Sequence, residues 1–448
     1  MDRRVFLKTS AGIAAVAAGA EKAYAIEKIA PLLPDETAEA AEAQGKLITS
    51  APMLQNFAET SMGIAFGVSD MANGYVLYGK SPDLSDAIKV KCGGFRVTDM
   101  NPDVMLVRLT GLEKATKYYY RIGADRISYK GGYQMKVAST EEDPNIYEFT
   151  TAGKDAKAHF CVINDTHAFW PGMAACTDKI AELSPSCVLW NGDAMNCEEK
   201  IESLKTIFLS PEILRKDYAS RIPYIFVPGN HDNRGLAARR LEKVWMFRDN
   251  GERSGEDWDL GRNFAFRLGD IAMIGLDTAE DKVDENPAFA GLFNSEAYRE
   301  AQTTWLEKAL KRKDIATAPF LVAFCHIPLS DSDPHENPGG IHPNDYDPTY
   351  THPWASWLKP CQDMWGPLLE KARCACVISA HQHRYRFEER AGNGKYHWAQ
   401  MVGGGTDPES EKEFPTVIEG LIENGKLVLK VHNIHTGLIE EVRTFKRR

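Results

Sequence analysis

Five separated segments of the sequence end in side chains that bind metals or carry protons. They read Asp165-Thr166-His167, Gly192-Asp193, Gly229-Asn230-His231-Asp232, His326 and His381-Gln382-His383. Carboxylate and imidazole groups together suit Zn, Fe and Mn. Buried together without a cation, they would leave charges and lone pairs unmet, at a cost of several kcal/mol each. The set therefore predicts a centre that holds divalent metal.

Each of these segments follows a short apolar run that is typical of a buried strand. The runs are Phe160 to Ile163, Cys187 to Trp190, Tyr224 to Val227, Phe320 to Phe324 and Cys374 to Ser379. Helix-like stretches, such as Ser295 to Lys313, alternate with them. This alternation predicts a layered α/β domain, in which ligands bind beyond the carboxyl ends of the strands. The five segments are therefore expected to meet in one crevice.

The order of the segments adds a resemblance to a known family. Singly the signals are weak, because a histidine after a strand is usually structural and an aspartate there often caps a helix. Together, Asp-x-His, Gly-Asp, Gly-Asn-His-Asp, His and His-x-His resemble the calcineurin-like metallophosphoesterases over about residues 155 to 448. The resemblance implies a four-layer αββα sandwich that hydrolyses phosphate esters. One departure is Ala380, where the family usually has Gly before the His-x-His block.

The resemblance also implies a role for each residue. One metal ion would be bound by Asp165, His167, Asp193 and His383, and the other by Asp193, Asn230, His326 and His381. Asp193 would bridge two ions of Fe, Mn or Zn, in divalent or mixed-valence form. Two ions about 3.5–4 Å apart can hold a bridging hydroxide that attacks the phosphoryl group in line.

His231 lies outside this ligand set, next to Asn230. The resemblance makes it the candidate general acid, facing the oxygen of the leaving group. An ordinary histidine pKa of about 6.5 suits that task. Asp165 or Asp232 could orient its ring. The alternative is a histidine that only braces its loop.

The segment from residue 46 to 152 has a different pattern. Short β-type runs separated by Gly, Pro, Asn and Asp predict a small all-β sandwich. Its runs NGYVLYGK, VRLTGLEKATKYYYRIG and YEFTTAG resemble the fibronectin III-like domain that precedes the catalytic domain of purple acid phosphatases. The catalytic segments differ from those enzymes, because Asn196 replaces their iron-binding tyrosine and His167 stands where they lack a histidine ligand. We therefore expect no tyrosinate absorption band.

The first 25 residues, MDRRVFLKTSAGIAAVAAGAEKAYA, predict an export signal. Arg3 and Arg4 precede a short apolar stretch, and Ala23-Tyr24-Ala25 resembles a cleavage site, as in twin-arginine signals. The apolar stretch is far shorter than the about 20 residues that span a bilayer, so no transmembrane anchor is predicted. Residues 26–45 are Ala- and Glu-rich and indicate a linker. The expected location is periplasmic or extracellular.

Composition narrows the classes of partner. The chain of 448 residues has a formal net charge of -10, which argues against a face that grips nucleic acid. Its 43% hydrophobic and 26% charged residues are ordinary for a globular protein. Nine cysteines at irregular spacing indicate neither a disulfide framework nor a cysteine metal site. Cys374 and Cys376 are expected to pack as small apolar residues.

Three further segments leave alternatives open. The aperiodic stretch 327–356 is expected to be either a substrate rim or a surface excursion, and its candidate contacts are His335, His342, Tyr346 and His352. Downstream of His231, either one arginine binds a substrate phosphate or all lie on a solvated helix face; these are Arg234, Arg239, Arg240 and Arg248. The tail, HWAQMVGG (residues 397–404) followed by Val417 to Phe445, is predicted to complete a second, antiparallel sheet, with a hairpin at Asn424-Gly425.

These patterns favour an exported hydrolase of phosphomonoesters or phosphodiesters, including diesters of nucleotides or lipid head groups. The alternative from another class is a surface adhesion or glycan-binding protein, whose sandwich makes the contact and whose α/β domain is vestigial. The seven intact ligand positions argue against that alternative, because a vestigial site is expected to have lost some of them.

Overall fold

The structure is a computed structural model that describes residues 45–92, 104–209, 217–247, 260–330 and 359–448. Several sequence predictions fall outside the described residues. These are the export signal, all but the last residue of the linker, Arg248, and most of the stretch 327–356 with His335, His342, Tyr346 and His352.

Within these residues, twenty strands, numbered along the chain, form three sheets. The first has the order Ile439–Phe445 (β20), Lys426–Asn433 (β19), Thr416–Glu423 (β18), His159–Ile163 (β9), Cys187–Asn191 (β10), Tyr224–Val227 (β11), Met53–Gln55 (β1), Ser61–Gly67 (β2) and Val104–Thr110 (β5). The second has the order Phe264–Leu268 (β12), Ile271–Gly275 (β13), Phe320–Phe324 (β14), Cys376–Ser379 (β15), Ala399–Val402 (β17) and Arg386–Glu388 (β16).

The third sheet contains Ile88–Lys91 (β4), Ala72–Gly79 (β3), Lys117–Tyr129 (β6) and Met135–Glu142 (β7), with Tyr147–Thr150 (β8) also paired to β6. The α-helices are Trp170–Leu183 (α1), Ile201–Leu209 (α2), Ser295–Lys311 (α3), Lys313–Ala316 (α4) and Lys359–Lys371 (α5). Short 3-10 turns cover Asp217–Ser220, His231–Asn233, Ala238–Lys243 and Pro287–Phe289.

The alternation of side chains along β9 explains how the layers pack. Phe160 and Val162 lie in the core between the first two sheets, whereas Cys161 and Ile163 pack with α1 and α2. The Phe160 ring meets that of Phe324 on β14, with centroids 5.7 Å apart. The other face of the second sheet packs on α3 and α5. The predicted order helix, sheet, sheet, helix is therefore confirmed.

The strands of residues 46–152 divide between two sheets. β1 pairs in parallel with β11, with Gln55 opposite Tyr224, and β2 and β5 extend the same sheet. Side chains of this part, such as Phe66 and Tyr120, share one core with Phe160 of β9. Lys46–Arg448 accordingly form one compact unit. Its division into a sandwich and a hydrolase domain stays a prediction.

The tail divides between the two central sheets. β17 joins the second sheet, parallel to β15 and antiparallel to β16, whereas β18, β19 and β20 extend the first sheet as antiparallel strands, with Ile418 opposite Val162. The expectation that β18 to β20 complete the second sheet was therefore wrong, because alternation along a strand indicates which face is buried but does not select the neighbouring strand. The predicted hairpin between β18 and β19 is present, with Asn424 and Gly425 both in the left-handed region.

All nine cysteines carry free thiols, and seven of them are buried, Cys374 and Cys376 included. Among the helices of the described residues, none is long and apolar enough to cross a membrane.

Candidate metal centre

The seven predicted ligands lie just beyond the carboxyl ends of five strands from the two central sheets. Asp165 and His167 follow β9, Asp193 follows β10 and Asn230 follows β11; from the second sheet, His326 follows β14, and His381 and His383 follow β15. The six histidines and aspartates among them form two groups in which the potential ligand atoms lie within 4.8 Å of one another, and His231 forms a third such group with His167 and Asp193.

The first group contains Asp165, His167 and His383. His167 Nε2 and His383 Nε2 are 3.0 Å apart. Asp165 Oδ1 lies 3.4 Å from His383 Nε2 and 3.9 Å from His167 Nε2. The other oxygen of Asp165 accepts hydrogen bonds from Asn164 Nδ2 at 2.8 Å and from the His381 amide at 2.9 Å. Asp165 is therefore fixed with one oxygen directed at the two histidines.

The second group contains Asp193, His326 and His381. Asp193 Oδ2 lies 3.2 Å from His326 Nε2, and His326 Nδ1 is held by the Asn191 carbonyl at 2.9 Å. A carbonyl accepts only from N–H, so Nδ1 donates to Asn191 and Nε2 is the nitrogen that faces the group. His381 Nδ1 is 3.0 Å from Asn230 Oδ1, which brings the seventh predicted residue to the same place.

Asp193 lies between the two groups. Its Oδ2 is 3.6 Å from His167 Nε2 of the first group and 3.2 Å from His326 Nε2 of the second. Its Oδ1 accepts the His231 amide at 2.9 Å. The carboxylate is thus positioned to serve both groups at once.

Several of these residues have strained backbones. Left-handed φ angles occur at Asp165 (44°), His167 (44°), Asp193 (51°), His381 (72°) and His383 (57°). Such conformations cost on the order of 1–3 kcal/mol each in residues with a Cβ. The loops hold each other, since the Asp165 amide donates to Gly192 O at 3.1 Å and the His167 amide to Asp193 O at 2.9 Å. Strain of this kind concentrates at functional sites.

The protein groups at this centre perturb one another strongly. Burial alone would raise the pKa of Asp165, but the neighbouring His383 and His326 lower it to about 2. Burial would lower the pKa of His326, yet Asp193 and Asp165 raise it to about 10. For His381 burial dominates, and its pKa falls to about 4. Carboxylates and imidazoles are therefore packed closely enough to shift one another's pKa values.

Two buried polar atoms without hydrogen bonds indicate that the residues fit a metal ion. Asp165 Oδ1 and His326 Nε2 are both buried, and neither makes a hydrogen bond to another described residue. They are 3.9 Å apart. Buried polar atoms in native proteins are almost always partnered. A cation bound in each of the two groups would satisfy both atoms, so the donor set fits divalent metal.

His231 lies beside the centre, and its ring is oriented by neither predicted partner. The oxygens of Asp232 accept the amides of Met195 at 2.9 Å and Gly229 at 2.7 Å, and those of Asp165 are directed elsewhere. Both carboxylates therefore hold loops. The ring of His231 packs edge-on to that of His167, with centroids 4.8 Å apart. Burial lowers its pKa to about 4.

Sequence reasoning missed two carboxylates at the edge of the centre, Glu280 and Asp281, and the contact of Arg234 with His231. Arg234 contacts the ring of His231, and its guanidinium is paired with Glu280 and Asp281, which follow β13. The interpretation as a solvated face holds for the exposed Arg239 and Arg240 but not for Arg234, whose side chain is 16% exposed. The apolar run IAMIGL before Asp277 was a signal of the same kind as the other five strand ends.

Comparison with known proteins agrees with this geometry. The family model for calcineurin-like phosphoesterase matches residues 158–385, just over half of the chain. The purple acid phosphatase PPD1 from yellow lupin (Lupinus luteus) seeds has a TM-score of 0.59 at 14% identity, over 88% of this chain and 74% of that chain. A structure of PhoD has a TM-score of 0.56 at 12% identity, over 89% of this chain and 90% of that chain. At these identities the likeness shows the fold alone.

No curated protein sequence matches the chain. The family match rests instead on residues 158–385, which contain all seven candidate ligands and His231. The chain therefore belongs to the calcineurin-like phosphoesterase family.

Proposed function

We propose that the protein is an exported hydrolase of phosphate monoesters or diesters that works with two metal ions. The observation that carries the proposal is a pair of buried atoms that make no hydrogen bond to the described residues, Asp165 Oδ1 and His326 Nε2, which are 3.9 Å apart, with Asp193 Oδ2 3.2 Å from His326 Nε2. Family membership supports metal-dependent phosphoester hydrolysis as the reaction class. Export is supported by the twin-arginine pattern of residues 1–25.

The two groups of side chains would hold one ion each. Asp165, His167 and His383 would bind the first, while Asn230, His326 and His381 would bind the second, and Asp193 would be shared. When bound, such ions act as Lewis acids toward phosphoryl oxygens and lower the pKa of water. The amide oxygen of Asn230 contributes no negative charge, which limits repulsion of the anionic substrate.

The remaining work falls to the protein's own residues. Hydrogen bonds from Asn164 and from the His381 amide fix the Asp165 carboxylate, and the Asn191 carbonyl fixes His326. His231 is the candidate hydrogen-bond donor to the leaving group, because its ring lies against His167 at the edge of the centre.

Metal analysis of the purified mature protein tests the proposal together with a panel of phosphoesters. We expect bound Fe, Mn or Zn and turnover of p-nitrophenyl phosphate, bis(p-nitrophenyl) phosphate or both. Their relative kcat/KM decides between monoesterase and diesterase. A protein that binds no metal and turns over no phosphoester would contradict the proposal and favour the adhesion or glycan-binding alternative.

Two variants test the assignment of residues. Asp193→Asn should lower the content of both metals and reduce kcat by on the order of 100-fold or more, because the shared carboxylate loses its charge. His231→Ala should keep its metal and lose kcat chiefly for poor leaving groups. Equal loss of metal in both variants would contradict the role given to His231.

A further inference from the structure

Two side chains lie near the nitrogens of the His231 ring. Its Nδ1 lies 3.7 Å from Cys197 Sγ, a weak contact, and its Nε2 lies 3.2 Å from Arg234 Nη1. A guanidinium has donors and no acceptor, so Arg234 donates and Nε2 accepts. The ring proton therefore belongs on Nδ1, and Arg234 is the strongest polar contact that holds the ring.

Arg234 is itself held at its other nitrogens. Its Nε donates to Glu280 Oε2 at 3.0 Å, and its Nη2 donates to Glu280 Oε1 at 2.5 Å and to Asp281 Oδ1 at 2.6 Å. A forked pair of bonds to one carboxylate fixes the plane of a guanidinium. We call Arg234, Glu280 and Asp281 the arginine brace. It leaves Nη1 as the nitrogen directed at His231.

The carboxylates of the brace come from a rigid segment. Residues 276–281 follow β13 and are all buried. Arg299 of α3 donates to Thr278 O at 2.9 Å and to Glu280 O. The Asp281 amide donates to Glu280 Oε1 at 2.8 Å. The brace is thus anchored to a helix and a strand of the second sheet.

The brace also approaches the candidate metal ligands. Asp281 Oδ2 lies 3.9 Å from His381 Nε2, whose other ring nitrogen contacts Asn230. One side of Asp281 therefore faces a candidate ligand and the other holds Arg234, which contacts His231. The arginine brace therefore connects His381 of the second group to His231, and none of its three residues is itself a candidate ligand.

We propose that Arg234, fixed by Glu280 and Asp281, is a positioning residue for His231. It holds the ring at Nε2 and so keeps the ring proton on Nδ1, the nitrogen that lies 3.7 Å from Cys197 Sγ. This inference rests on the proposed phosphoester hydrolysis for its kinetic test and on the ring contacts alone for its spectroscopic test.

The kinetic test compares leaving groups on whichever ester, mono- or diester, the wild type prefers. Arg234→Gln should lower kcat for a phenyl ester about 10- to 100-fold, because a misplaced group costs up to about 100-fold. With a 2,4-dinitrophenyl ester, which needs no donor, the loss should stay below about 3-fold. KM and metal content should be unchanged.

A double-mutant cycle separates positioning from direct contact with substrate. If Arg234 acts through His231, Arg234→Gln should add almost nothing to the loss already caused by His231→Ala. If the two losses multiply, Arg234 acts on the substrate independently and the proposal is overturned. Should Arg234→Gln fold poorly because it leaves two carboxylates unpaired, Arg234→Gln combined with Glu280→Gln repeats the cycle.

The spectroscopic test reads the ring directly. In protein with 15N-labelled histidines, the signals lost in His231→Gln belong to His231, and the wild type should show a protonated Nδ1 and an accepting Nε2. Arg234→Gln should shift them toward averaged tautomers. Unchanged ring signals in that variant would overturn the inference even if no phosphoester were turned over.

Arg262→Gln is the matched control. Arg262 Nη1 donates to Asn233 Oδ1 at 2.6 Å in the same loop, and it also pairs with Asp277. None of the described hydrogen bonds of the His231 ring involves Arg262. Its loss should affect all leaving groups alike and leave the ring signals of His231 unchanged; a leaving-group dependence equal to that of Arg234→Gln would contradict the specific role of Arg234.

Discussion

At the level of single residues, the candidate centre depends on glycines that leave room for its carboxylate. A Cβ at Gly229 would lie 2.2 Å from Asp193 Oδ1 and 2.8 Å from His326 Cδ2. Neither neighbour can move without leaving its group, because Asp193 is bound by the His231 amide and His326 by the Asn191 carbonyl. The close packing that buries the centre thus also makes it intolerant of one added carbon.

Gly229→Ala should therefore lower metal content to less than about half and kcat by about 10-fold or more, with a loss of roughly 1–3 kcal/mol in the free energy of unfolding. Elemental analysis, turnover and urea unfolding measure these effects. Gly132→Ala is the control, since a Cβ there meets no atom within 4 Å. Full metal content in Gly229→Ala would show that Asp193 is not a ligand.

The residues that sequence could predict were those next to a strand end. Asp165, Asp193 and His326 each follow an apolar run, and that local pattern suffices to place them. Arg234 and Glu280 are 46 positions apart, and no local pattern pairs them. The orientation of His231 was inaccessible for the same reason, because it depends on that distant pair.

At the level of elements, a buried ionic cluster ties the tail to the first strand of the α/β part. Glu419 on β18 lies 2.9 Å from His159 Nε2 on β9 and 3.1 Å from His432 Nε2 on β19. All three side chains are buried. The hydrogen bonds from His159 and His432 hold the pKa of Glu419 well below its ordinary value of 4.5.

Glu419→Gln should lower the free energy of unfolding by roughly 1–3 kcal/mol at pH 7, because hydrogen bonds to a buried charge are lost. A depressed pKa means that this stabilisation is present above the ordinary pKa of 4.5 and is lost as the pH falls below it. The difference between wild type and variant should therefore shrink below about pH 4.5 in urea unfolding.

Glu423→Gln provides the matched control on the same strand. Glu423 pairs with Lys430 and its side chain is 43% exposed, so its loss should cost at most about 1 kcal/mol. Equal effects of the two substitutions at pH 7 would show that the cluster does not tie the strands.

The bounds of strands and helices were predicted more accurately than the pairing of the strands. The strands at Tyr224–Val227 and Phe320–Phe324 have the predicted bounds, and the helix at Ser295–Lys311 is close to its prediction. The pairing of β1 with β11 and of β18 with β9 was not predicted. Alternation and length indicate a strand, whereas its partner is selected by packing across the whole sheet.

For the whole molecule, residues 46–152 are bound to the rest by buried contacts. Tyr120 Oη donates to Ser220 O at 2.7 Å, and Gln55 Nε2 donates to Val244 O at 3.0 Å. Arg108 donates to Phe247 O at 3.1 Å. Together with the pairing of β1 and β11, these contacts cover an edge that would otherwise expose unpaired backbone groups.

A fragment of residues 155–448 should therefore be insoluble or lack a cooperative thermal transition, whereas 46–448 should unfold in a single one. Circular dichroism and calorimetry of the two measure this. Tyr120→Phe in the longer chain, which loses one buried hydrogen bond, should cost only about 1 kcal/mol. A soluble, metal-binding fragment with its own transition would instead establish an independent hydrolase domain.

The partnership of β9 with β18 has a consequence for synthesis. His159 and Glu419, which join those strands, are 260 positions apart, and Asn164 beside Asp165 donates to Gly404 O. A chain emerging from the ribosome thus carries Asp165 and Asp193 of the candidate centre long before the strand that flanks β9 has been translated. We therefore expect a truncated chain that ends before β18 to bind no metal, however much of the earlier sheet it has formed.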